Sequence, residues 1–285
     1  MISNKLMSTK DLTFEATYLV NNIHCGSCEE SCKKVLHEIS DANIKNYEMK
    51  KNDSGEDVLV IDSNISPYNL ITRLQSIGKD AVLRGTSSSL MQTQDLGACV
   101  SILESISSSE NDSNLRENAT ATSIINSETV LGIRSIESIR GIIRAIEMRG
   151  SVKDTVAKNP LWIDAALTRL PDLNGTYNVN LHKFGNLQNY DTLGPIFKSI
   201  KVNLLNGGAF LSLNSENDHK ENKAVSLVDL VGRGVSICDE KNENCYAIGL
   251  WARSSGMWGN NKKVCACSGK TVWEERKDAL EAGIV

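Results

Sequence analysis

A chain of 285 residues with 40% apolar and 23% charged side chains is long enough for roughly two domains, each able to bury a core. A net charge of −4 and a pI near 5.7 supply no basic field for phosphate backbones or anionic lipid, so nucleic acid is not an expected partner. No stretch approaches the roughly 20 apolar residues of a membrane span, and Met1–Lys10 lacks the apolar centre of a signal peptide, so a cytosolic chain is expected.

Residues 1–11 read as an extension. From Phe14 to Val20 a β-favouring apolar run leads into Ile23-His24-Cys25-Gly26-Ser27-Cys28, and then into a helix with Cys32, Val35, Leu36 and Ile39 on one face. Ser27 and Glu30 suit a capping box at its start. Ile44–Met49 and Val58–Ile61, separated by Asn52-Asp53-Ser54-Gly55, predict a hairpin. Ser66-Pro67 offers an N-cap and a first-turn proline to a second helix carrying Leu70, Ile71, Leu74 and Ile77, with Gly78 as its natural terminator. A strand from Asp80 to Arg84 completes βαββαβ, the ferredoxin-like order, over residues 12–86.

The Ser/Thr/Gln-rich stretch after Gly85 predicts a linker over 87–96. Beyond it the pattern becomes short β-like runs: Ala98–Leu103, Gly141–Met148, Leu161–Thr168, Tyr177–His182, Phe210–Leu213, Gly234–Cys238 and Tyr246–Trp251. Their density predicts a sandwich or barrel over 97–252, interrupted by a polar, disordered insertion at 107–127. Residues 253–285 hold too few apolar side chains for a third core, so this tail must be mobile or borrow a surface.

Eight cysteines are present, and four form two tight pairs: Cys25 with Cys28, and Cys265 with Cys267. In a reducing compartment such pairs point to metal or redox chemistry before structural staples. The first pair precedes a helix amino terminus, where free N–H groups and the dipole favour thiolate. Two thiolates suit soft Cu(I), whereas a closed zinc site wants four ligands. The βαββαβ setting, without a second CxxC, favours metal carriage over a thioredoxin-like redox pair or half a zinc site. His24 reads as an exposed loop imidazole and Cys32 as a core thiol; neither is expected to be a ligand. With histidines only at 24, 37, 182 and 219, an imidazole-rich site is not available.

The loop and its fold resemble the heavy-metal-associated domain of copper chaperones, whose loop usually reads Met-x-Cys-x-x-Cys. Ile23 stands where that Met is common. The resemblance implies that Ile23 packs beneath the loop, and that Lys79, in Gly78-Lys79-Asp80, offsets the negative charge of a dithiolate copper complex. In the middle domain, Asn180-Leu181-His182-Lys183-Phe184-Gly185-Asn186 resembles the His-x-His-x-Phe-Gly-Asp strand of copper,zinc superoxide dismutase. Gly232 to Cys238 is similar to the later strand that brings another copper-ligating His, with Cys238 in its place. Cys245 to Gly249 is similar to the segment carrying one disulfide cysteine, with Asn242 where the active-site arginine is expected. The resemblance therefore implies a dismutase-like Greek-key β-barrel without dismutase activity, leaving His182 as a packing or hydrogen-bonding residue.

Cys265-Ala266-Cys267, preceding Val272-Trp273-Glu274-Glu275-Arg276, is similar to the carboxyl-terminal domain of fungal copper chaperones for superoxide dismutase. A disulfide closed over one residue is strained and exchanges readily, and Lys262, Lys263 and Lys270 nearby favour thiolate. The family resemblance implies a multidomain α+β carrier, not an enzyme. It would hold Cu(I) on Cys25, Cys28, Cys265 and Cys267 and transfer a disulfide through Cys265 and Cys267. Its partner would be the dismutase in a heterodimer, with a homodimer as the resting form; zinc occurs in the family, but ligands for it are not evident here. The location expected is cytoplasmic, with room for a minor pool in the mitochondrial intermembrane space. The rival reading is a thiol-disulfide oxidoreductase with an accessory metal-binding domain.

Overall fold

The computed structural model describes residues 12–39, 42–87, 98–105, 139–147, 161–213, 225–255 and 269–281. The expected amino-terminal extension, the linker core, the insertion at 107–127 and the Cys265/Cys267 pair lie outside them.

The first unit runs β1 (Phe14–Val20), α1 (Gly26–Glu38), β2 (Ile44–Lys51), β3 (Asp57–Ser63), α2 (Pro67–Ser76) and β4 (Ala81–Ser87). Its four strands pair antiparallel in the order β2-β3-β1-β4. Helical spacing puts Cys32, Val35 and Leu36 of α1, and Leu70 and Leu74 of α2, onto a sheet face built from Phe14, Ala16, Tyr18, Leu59 and Ile61. Each such aliphatic burial is worth about 1.5–3 kcal/mol. Between β2 and β3, Asn52 Oδ1 accepts the Ser54 and Glu56 amides, and Gly55 takes the left-handed conformation that closes the turn.

Two local expectations are corrected. The start of α1 is capped by the extended Cys25 with no side-chain cap bond, so Ser27 and Glu30 form no capping box; Ser31 instead returns its hydroxyl to the Ser27 carbonyl. And β4 continues past Arg84 to Ser87, because β1 offers Thr17, Ala16 and Glu15 as partners across a bulge. Composition cannot register that pairing.

The second unit contains β5 (Ala98–Ser105), β6 (Arg140–Glu147), β7 (Leu161–Thr168), β8 (Thr176–His182), β9 (Ile196–Asn203), β10 (Gly208–Ser212), α3 (Leu227–Leu230), β11 (Gly234–Asp239), β12 (Cys245–Leu250) and β13 (Ala252–Arg253). The sheet runs β10-β7-β6-β5-β12-β11-β8-β9, with β13 beside β5. Sequence-adjacent β9 and β10 sit at its two ends, joined by the tight turn at Asn206-Gly207, so the sheet curls toward closure. Inward residues such as Leu103, Ile143, Ile163, Val179, Leu181, Ile237 and Trp251 fill it. The seven predicted runs are all strands; the sequence reading passed over β9 and the two-residue β13. In β9, Lys198, Ser199 and Lys201 dilute the apolar alternation, and pairing with β8 supplies what local propensity does not.

The two units share a core. Ala98, Ile146, Trp162 and Phe210 from the barrel pack with the first unit's apolar cluster, and Trp162 stacks on Phe210 with centroids 4.9 Å apart. Beside them Asp164, wholly buried, accepts the Ser66 hydroxyl at 2.8 Å, the Tyr68 amide at 3.2 Å and Arg144 Nη1 at 2.8 Å. Tyr68 Oη donates to the Asn206 carbonyl at 2.7 Å, its ring lying where a Cβ on Gly208 would be. Finally α4 (Val272–Glu281) begins at a reciprocal Thr271/Glu274 cap and lays Arg276 on Asp80 at 3.0 Å. The tail thus borrows a surface of the first unit.

Candidate metal centre

Cys25 caps α1 at the end of the loop that follows β1, and Cys28 lies in the first turn of that helix. The Cys25 carbonyl accepts the amides of Cys28 and Glu29, winding the first turn of the helix so that Cys28 comes back over Cys25. Their sulfurs stand 3.6 Å apart, and Ser27 Oγ lies 2.9 Å from Cys25 Sγ. Both are reachable from solvent. The Cys28 thiol is lowered to about 7, chiefly by a backbone hydrogen bond at His24 and then by the Lys79 ammonium and Cys25. A substantial share of it is therefore thiolate near neutral pH, the form that metal binding requires.

Lys79 reaches this turn because of how α2 ends. Gly78 adopts φ +74°, its amide bonds to the Gln75 carbonyl, and the Lys79 amide returns to Leu74. This is the Schellman termination, which needs a residue without a Cβ penalty at Gly78. It throws Lys79 back along the helix, where its ammonium bonds to the Asn22 carbonyl three residues before Cys25. Asn22 itself takes the left-handed conformation, and its side-chain Nδ2 donates to the Gly78 carbonyl.

The neighbouring candidates separate cleanly. Cys32 is buried, and burial raises its thiol, so it stays protonated on the core side of α1. Ile23 packs under the loop against the core cluster, and His24 is exposed. Among the described residues no group of three or more His, Cys, Asp and Glu is arranged to hold a metal ion. What the first unit presents is a pair of sulfurs open on one side.

In the barrel, the positions that resemble dismutase ligands are each tied up with other protein groups. His182 is buried, with Nδ1 2.9 Å from the Gly194 carbonyl and Nε2 2.9 Å from Ser236 Oγ. Asn180 donates to Asn242 Oδ1 at 2.8 Å and accepts the Ser199 hydroxyl. Cys238 forms a disulfide with Cys245 across β11 and β12. The sequence resemblance marks Cys245 as a disulfide cysteine, and the structure gives its partner as Cys238. A signal was available: the two cysteines flank the turn-prone Asp239–Asn244, so a hairpin places them opposite each other.

No protein-family model matches the chain. It is similar to the superoxide dismutase 1 copper chaperone of Saccharomyces cerevisiae, 26% identical over 300 residues, covering 98% of this chain and 100% of that protein. It is 27% identical to the protein of that name from Candida glabrata over 285 residues, covering 95% and 97%. The human copper chaperone for superoxide dismutase is 21% identical over 282 residues, covering 88% and 85%. The chain is a homologue of these copper chaperones along nearly its whole length. Homology at that coverage extends across the first unit, the barrel and the tail alike.

Proposed function

We propose that this chain acquires Cu(I) on Cys25 and Cys28, docks on immature copper,zinc superoxide dismutase through its barrel, and delivers copper and a disulfide through Cys265 and Cys267. The observation that carries the reading is the exposed Cys25/Cys28 pair with the Cys28 thiol lowered to about 7, in a chain homologous end to end to proteins named copper chaperones. Copper is cargo here, and the protein is a carrier, not an enzyme. A two-thiolate site holds a soft cation and leaves the metal open to an incoming ligand, so it can be handed over by ligand exchange. Lys79 offsets the charge of the dithiolate complex, and the location that suits such exchange is the cytoplasm.

Docking uses an apolar face of the barrel. Phe184 is 58% exposed and Leu250 37% exposed. Gly185 sits so close between them that an added Cβ would strike the Gly232 carbonyl at 2.1 Å and Leu250 at 2.5 Å. Such a face suits a two-fold interface, in homodimer or heterodimer. In the disulfide step a target thiolate attacks one sulfur of the Cys265/Cys267 disulfide and forms a mixed disulfide. A second target thiolate then closes the target disulfide and releases the reduced pair, which an oxidant such as dioxygen must reoxidise.

The test is reconstitution of reduced, zinc-only dismutase with the copper-loaded chain in the presence of a strong Cu(I) chelator. Activation under chelation supports handover within a complex. A thiol oxidoreductase with an accessory metal domain would instead oxidise the target without delivering copper.

A further inference from the structure

The Cys238–Cys245 disulfide lies in the barrel, outside the Cys25/Cys28 turn, and its two sulfurs are unequal. Cys238 is wholly buried, whereas Cys245 is half-buried at the start of β12, next to exposed Glu243 and Asn244. A nucleophile arriving from solvent therefore meets Cys245 Sγ and leaves Cys238 as the departing sulfur.

Behind Cys238 an acceptor is already in place. Ser236 Oγ lies 3.5 Å from Cys238 Sγ and 2.9 Å from His182 Nε2. A carbonyl can only accept, so the contact of His182 Nδ1 with Gly194 O puts the ring proton on Nδ1. Burial lowers the imidazole's pKa and keeps it neutral. Nε2 then accepts the Ser236 hydroxyl proton, and the Ser236 lone pairs face Cys238. A thiol formed at Cys238 would find its hydrogen-bond partner without any rearrangement. The hairpin is closed independently of the disulfide, since the Asp239 carboxylate accepts the Glu243 and Asn244 amides and the Asn244 side chain. The β11 strand is also paired to β8.

We propose that Cys238–Cys245 is a reversible thiol-exchange site: Cys245 takes up a small-molecule thiol, and Cys238 is the resolving sulfur. In the forward step a thiolate RS⁻ attacks Cys245 Sγ, the Cys245–Cys238 bond breaks, and a Cys245–S–SR bond forms. The departing Cys238 thiolate takes the proton released when RSH ionised, and the resulting thiol keeps it while hydrogen-bonding to Ser236 Oγ. The reverse attack by Cys238 expels RS⁻ and restores the internal disulfide, so no net oxidant is consumed. A second RSH attacking the mixed disulfide releases RSSR and leaves both cysteines reduced. The proposal does not depend on the copper reading.

The experiment uses the full native chain and glutathione as the probe thiol. The chain is incubated with excess reduced glutathione, alkylated under native conditions, and mapped by peptide mass spectrometry. The expected result is glutathione or the alkylating group on Cys245, with Cys238 labelled only after unfolding. In Cys238→Ser, glutathione disulfide should leave one stable adduct on Cys245, formed about tenfold or more faster than any adduct on Cys238 in Cys245→Ser. If either variant does not fold, the map of the unsubstituted chain decides alone. A disulfide that survives the excess glutathione intact, or an adduct found first on Cys238, overturns the proposal.

Discussion

Ser66 and Asp164 lie 98 residues apart in sequence and are bonded in the core: the hydroxyl that accepts the Asn69 amide at the start of α2 donates its proton to the buried Asp164 carboxylate. One side chain thus caps a helix of the first unit and fastens that helix to the barrel. Arg144 neutralises the same carboxylate, so removing it leaves a largely buried guanidinium unpaired. Asp164→Ala should cost about 3–5 kcal/mol. Calorimetry should show a single unfolding transition splitting into two as the units uncouple, and a variant melting like the parent would refute the coupling.

Copper affinity should depend on pH through Cys28. Its thiol is lowered to about 7, so above that pH copper meets a thiolate, and as pH falls through about 7 protons compete and affinity drops. Replacing Lys79 with Met removes one cause of the lowering and should move the titration, followed by thiolate absorbance, up toward the ordinary thiol value of about 8.5. Cys25→Ser or Cys28→Ser should each lose about one copper equivalent, because a two-coordinate site cannot spare a ligand. Unchanged stoichiometry in both would sink the assignment.

The Arg276–Asp80 pair joins α4 to the residue following Lys79. Both side chains are 19% exposed, so the pair is worth up to about 1 kcal/mol. Arg276→Ala should raise the rate of limited proteolysis in the tail by up to about fivefold, and the charge swap Arg276→Asp with Asp80→Arg should restore part of the protection. Equal cleavage in all three chains would show that α4 is held by other contacts.

An acidic residue on the apolar barrel face should separate docking from copper acquisition. Leu250→Glu points a charge at the surface beside Phe184 and Gly185. Sedimentation should show loss of both self-association and complex formation with metal-deficient dismutase, while copper stoichiometry stays at the parent value. A complex of undiminished affinity would move the interface elsewhere.

The double variant Cys265→Ser with Cys267→Ser should keep the copper bound at Cys25 and Cys28 yet fail to activate dismutase even at high copper. A single tail serine should trap a covalent complex with the target, visible without reductant. Activation by the double variant would remove the tail from the mechanism.

The sequence by itself determined the βαββαβ order, the helix ends at Ser66-Pro67 and Gly78, seven barrel strands and the Cys25/Cys28 turn. These depend on period, caps and turn chemistry, which are local and act within a few residues of where they are written. Tertiary structure alone decided the rest. β9 is a strand because β8 lies beside it, not because of its own composition. Nothing near Asp164 in sequence announces that its carboxylate will meet Ser66, and nothing near Arg276 points to Asp80. The local backbone at His24 lowers the Cys28 thiol most, but a further part of the lowering comes from Lys79, 51 residues later, delivered by a helix end whose form was legible but whose direction was not. Cys238 and Cys245 stand between these cases: the turn that pairs them is local, but the unequal burial of their sulfurs is set by the barrel packed around one of them. Burial, charge pairing and pKa are properties of what surrounds an atom, and for these residues the surroundings come from distant parts of the chain.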